Sequence, residues 1–146
     1  MQAELTARFQ RLVDELPPGT ATIEVSPPSE RRPATILLLP RNPAAADFCV
    51  VYDDLDVYGV AFGLHQWEFP YERRYRNGER DVFIEIEEMA RAVVAGNCEQ
   101  ERRWFSMTGR IDVGDCTYAV TDVPKFCKPP FGTHRYAPYT ERSNQA

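Results

Sequence analysis

The chain has 146 residues, of which 43% are hydrophobic and 27% charged, with a formal net charge of −5. That length is near the modal domain size and buries enough surface to fold without disulfides or a metal. The acidic balance argues against a general nucleic-acid binder, which needs a basic face. No apolar run reaches the roughly 18–20 residues that span a bilayer, so no membrane insertion is expected.

The first predicted element is a helix whose apolar residues Leu5, Phe9, Leu12, Val13 and Leu16 fall in one stripe. Pro17 and Pro18 stop it, since proline cannot continue the backbone ladder. Residues 20–26 alternate Ala21, Ile23 and Val25 with polar positions, which predicts a half-buried strand. Residues 34–39 are continuously apolar and predict a central strand covered on both faces. Runs 48–52 and 57–63, joined across Asp53, Asp54, Leu55 and Asp56, predict a hairpin. Residues 64–80 lack periodicity and read as a long, partly extended excursion.

A second helix is expected over 82–95, capped by Asp81, with Ile86, Met89, Ala90, Val93 and Val94 as its buried stripe. Gly96 and Asn97 supply its terminator. A final hairpin pairs 101–111 with 116–123, and Trp104, Phe105 and Met107 read as core or sheet-edge residues of its first strand. The expected fold is α+β: a mainly antiparallel sheet of five to six strands with two helices on one face. It occupies residues 1–123, and the Pro- and aromatic-rich tail, 124–146, is expected to pack on that domain or on a partner.

Residues 1–16 have no apolar signal region. The four cysteines, Cys49, Cys98, Cys116 and Cys127, follow no metal spacing. Together these point to a reducing cytoplasm. Cys49 and Cys116 lie in apolar strand patterns and read as small buried hydrophobes, with a Cys116–Cys127 bridge as the alternative. Of 17 basic residues only Lys125 and Lys128 are lysines, a bias that with abundant Ala and Pro hints at a GC-rich bacterial genome.

Two loops stand out as binding surfaces. Asp53, Asp54 and Asp56 form the densest acidic cluster, but they lack the ligand set and glycine of a calcium loop. A protruding acidic tip suits a basic cleft on a partner. The second loop gathers His65, Trp67, Glu68, Tyr71 and Tyr75, and tryptophan and tyrosine are favoured interface anchors. His65 with Glu68 could do acid–base work, although no nucleophile or phosphate loop accompanies them. Arg73, Arg74, Arg76 and Arg80 are largely offset by Glu72, Glu79 and Asp81 and read as a solvated face. Cys127 and His134 form no recognisable nucleophile pair.

The order of elements in an acidic domain of this size resembles two groups of bacterial proteins: small immunity proteins that neutralise polymorphic toxins, and dimeric chaperones of secreted effectors. The resemblance is one of layout and carries no site residues with it. The sequence therefore predicts a non-enzymatic protein-binding domain, without cofactor or metal. Its expected partner is another protein of basic character, as for an immunity-type inhibitor. An effector-chaperone-like homodimer is one alternative, and a small hydrolase or transferase using His65 and Glu68 is another.

Overall fold

The computed structural model describes residues 2–53, 57–63, 65–68, 82–122 and 131–140, with 65–68 defined by backbone. The α+β class holds. The helices are α1 (Gln2–Asp14) and α2 (Val82–Val94). The single sheet of five to six strands gives way to two antiparallel sheets. The first runs in the order β1 (Ala21–Ser26), β2 (Ala34–Pro40), β3 (Phe48–Tyr52), β4 (Val57–Phe62) and β5 (His65–Glu68). The second runs β8 (Thr117–Asp122), β7 (Met107–Asp112), β6 (Cys98–Arg102) and β9 (Gly132–Arg135).

Three departures account for the extra strands. Residues 65–68 of the expected excursion are extended and pair with β4. The run read as one strand over 101–111 is broken into β6 and β7, which fold back on each other. Part of the tail returns as β9 alongside β6.

The helices cover one face of the first sheet, and burial follows strand alternation. Ile36, Leu38, Phe48, Val50, Val60 and Phe62 are buried with Leu5 and Phe9 of α1 and with Ile86, Met89 and Val93 of α2. β2 is therefore not covered on both faces: Ala34, Ile36 and Leu38 are buried, whereas Thr35, Leu37 and Leu39 are half-buried. Val25, on the edge strand β1, is exposed. Ion pairs tie the helices together, with Arg8 reaching Glu4 and Glu87 at 2.7 Å each. Arg91 joins Glu15 at 2.6 Å and Glu87 at 3.2 Å.

α2 also packs against β7, so it links the two sheets. Its end is a paired cap. Gly96 N–H donates to the Val93 carbonyl at 3.0 Å and Asn97 N–H to that of Ala92 at 2.8 Å, with Gly96 at φ +78°. This turn delivers the chain into β6.

The described part of the tail lies on the protein's own body. Tyr136 N–H donates to the Cys98 carbonyl at 3.1 Å, Ala137 N–H to Ala44 at 2.9 Å, and Tyr139 N–H to Val94 at 2.9 Å. Tyr139 is buried, and the Asn42 side-chain amide donates to the Pro138 carbonyl at 3.2 Å. Gly96 has no room for a side chain, because a Cβ there would lie 2.6 Å from Pro138 N.

Candidate functional site: an exposed aromatic hairpin tip

β6 and β7 are joined by residues 103–106, where Arg103 N–H donates to the Ser106 carbonyl at 2.9 Å and leaves Trp104 and Phe105 at the tip. Both loop residues have negative φ. The favoured two-residue hairpin turns need positive φ and advertise themselves with Gly, Asn or Asp. This turn uses neither, which is why the sequence conceals it. The consequence is a correction: Trp104 and Phe105 are not core or sheet-edge residues but stand out at 57% and 64% exposure. Phe131, just before β9 and 37% exposed, brings its ring to 4.5 Å from that of Trp104.

Buried aromatic rings contribute stability, whereas a cluster of exposed ones usually marks a contact surface. Beside this cluster runs a cleft of about 370 Å³ lined by Gln100, Arg102, Phe131, Gly132, Thr133 and His134. Its floor is rigid. Gln100 is buried and accepts a hydrogen bond from the Tyr136 hydroxyl at 3.1 Å. The Tyr136 ring meets those of His134 and Phe62 edge-on, at 4.9 and 5.8 Å. Gly63, at φ +54°, lets the turn after β4 come close, since a Cβ there would lie 2.6 Å from the Tyr136 hydroxyl oxygen.

The titratable groups under the cleft are held in their neutral forms. Burial raises the Tyr136 hydroxyl pKa, with Cys98 and Asp47 adding to the effect. Burial pushes the Cys98 thiol up to about 12, and the charge of Arg135 only partly opposes it. A protonated thiol is a poor nucleophile. Among the described residues, no group of three or more His, Cys, Asp and Glu is placed to hold a metal ion.

The opposite face of the second sheet is polar. Arg110 lies 2.9 Å from Glu101 and 3.6 Å from Glu99, and Arg103 lies 2.6 Å from Glu101. The two arginine hydrogen bonds hold the Glu101 carboxyl below its usual pKa.

The residues singled out from sequence lie elsewhere. Asp53, at the end of β3, accepts a hydrogen bond from the Tyr58 hydroxyl of β4. Asp54, Asp56, Tyr71 and Tyr75 fall outside the described residues. His65, Trp67 and Glu68 belong to β5, where the register sets them opposite Phe62, Val60 and Gly59.

The cysteines also separate. Cys98 is buried and Cys49 half-buried, but Cys116 is a free, exposed thiol. Its placement corrects the buried reading: β8 begins only at Thr117, and Cys116 closes the preceding turn by accepting the Val113 N–H at 3.0 Å. No helix among the described residues is long and apolar enough to cross a membrane. No protein-family model, curated protein or solved structure matches the chain.

Proposed function

We infer that the chain is a protein-binding domain that acts by recognition rather than catalysis, with the Trp104–Phe105 hairpin tip and Phe131 as its anchor. The observation that carries this reading is the exposure of these aromatic rings at a tight hairpin tip, with those of Trp104 and Phe131 in contact. Tryptophan dominates binding energy when its ring is seated in a partner's pocket. A short turn fixes the rings in advance, so little freedom is lost on docking.

The immunity-type form of this function makes a further demand, that the Asp53–Asp56 loop meet a cationic surface on a basic partner. Association would then slow steeply with added salt. A salt-independent association rate removes the basic-partner form and leaves the aromatic anchor intact.

The test of the anchor is a paired capture from a lysate of the source organism, using the wild type and a Trp104→Ala/Phe105→Ala variant as baits. A partner then purified should bind the variant at least about thirtyfold more weakly, as truncation of an aromatic hot spot requires. A variant that keeps every wild-type interaction at unchanged affinity refutes the reading.

A further inference from the structure

Among the described residues, β9 is an end strand, paired with β6 alone. The register fixes which of its backbone groups face the open side. Tyr136 N–H donates to the Cys98 carbonyl at 3.1 Å. Opposed residues of an antiparallel pair alternate between exchanging both backbone bonds and exchanging none. The pairs Gln100–His134 and Arg102–Gly132 are therefore the bonded ones, and Thr133 and Arg135 turn their N–H and C=O groups away from β6. Ala137 has the same parity, and its N–H, also directed away from β6, donates to the Ala44 carbonyl at 2.9 Å. The same side of this segment thus already receives another stretch of backbone at Ala137. Residues Gly132 to Arg135 are all exposed.

The two faces beside this edge differ. His134 and Gly132 lie with Gln100 and Arg102 on the cleft side, next to Phe131 and Trp104. Thr133 and Arg135 share the other side with Glu99 and Glu101. There Arg103 and Arg110 are ion-paired with Glu101 and Glu99, and Asp112 lines the same hollow, whereas Arg135 bonds the Gly96 carbonyl and the Asn97 side chain and meets no carboxylate among the described residues.

The geometry points to β9 as the docking edge for an extended peptide segment that alternates apolar with acidic side chains and adds to the second sheet as a further strand. Main-chain bonds to Thr133 and Arg135 hold such a segment, and its alternate side chains are sorted between the two faces. Apolar side chains enter the cleft against Phe131, and acidic ones run beside Arg135. This inference rests on the recognition reading above and adds its mode and the chemistry of the bound segment.

The test titrates the full chain with a fluorescent peptide alternating glutamate with phenylalanine or valine, and with a twin N-methylated at every second amide. The parent peptide should shift the backbone amide resonances of Thr133 and Arg135. The twin, which keeps the side chains but loses strand donors, should bind at least about tenfold more weakly. Thr133→Pro should weaken the parent to a similar degree. The Thr133 N–H is not used by β6, and proline is tolerated on the solvent side of an edge strand. Should that variant not fold by circular dichroism, the comparison of twin and parent on the wild type decides alone.

Equal binding of parent and twin, or no binding of the parent, overturns the inference. If Trp104→Ala abolishes binding while Thr133→Pro and N-methylation do not, strand addition fails and the aromatic anchor survives. If none of the three weakens binding, both readings fail. A wild type that dimerises in sedimentation, and loses the dimer on Thr133→Pro, assigns the edge to a second copy of the chain and overturns the peptide.

Discussion

Phe9, Phe48 and Phe62 are at most 1% exposed, whereas Trp104, Phe105 and Phe131 are 37–64% exposed. The two aromatic groups have similar chemistry and opposite fates. The rings of Phe9 and Phe48 lie 6.0 Å apart inside the layer where α1 covers the first sheet. Those of Trp104 and Phe131 meet at 4.5 Å, tilted, at the end of the second sheet where β6 turns into β7 and β9 begins. An aromatic residue contributes to folding only where another element closes over it.

The sharpest way to break this contrast is truncation on both sides of it. Phe9→Ala should lower unfolding free energy by about 3–5 kcal/mol in urea titrations. Trp104→Ala should cost less than about 1 kcal/mol. Equal costs would make the hairpin tip a structural element and remove the basis for a binding role. Gly96→Ala tests the junction between the two regions: a side chain at φ +78° costs about 1–3 kcal/mol in backbone strain alone. The collision with Pro138 adds to this and should expel the tail segment, detectable as faster amide exchange at Tyr136 and Tyr139.

Acid should act on both regions through carboxylates whose folded pKa is depressed. Arg91 holds the Glu15 carboxyl below its ordinary value near 4.5, and Arg110 and Arg103 do the same for Glu101. A carboxyl depressed on folding stabilises above its unfolded pKa, and that stability is lost as pH falls through the folded value. The melting temperature should therefore decline as pH drops below the 4.5 reference value. Glu15→Gln and Glu101→Gln should each make that decline shallower, and unchanged profiles would discount these pairs as stabilising contacts. Both carboxylates are at the surface, so the effect is modest and shrinks with added salt.

The smallest effect separates buried from exposed thiols. In a Cys127→Ser background, a thiol reagent should label Cys116 at the rate of a solvated cysteine. Cys98, buried and with its pKa pushed to about 12, should react only on unfolding. Rapid labelling of Cys98 would mean that the sheet containing the cleft opens readily.

Several parts of the fold were legible because local signals agreed with the tertiary outcome. The stripe Leu5, Phe9 and Leu12 reads as one helix face and is buried as one. Gly96 and Asn97 announce the end of α2 because only a left-handed turn satisfies its last carbonyls. The hairpin over 48–62 followed from two apolar runs separated by acids. The candidate site was illegible for an equally physical reason. Trp104 and Phe105 have the composition of a strand, and their turn lacks the residues by which turns are recognised. β9 was hidden because four residues after a proline-rich stretch carry no periodicity.

By itself the sequence determined which faces of α1 and α2 must be buried and where those helices stop, since apolar spacing and backbone-restricting residues act over a few neighbours. Only the tertiary structure decided that the strands divide into two sheets, that the tail closes back on β6, and that Trp104 stands at an exposed hairpin tip. Each of these outcomes depends on which distant segment arrives to pair or to cover, and no local spacing encodes that arrival.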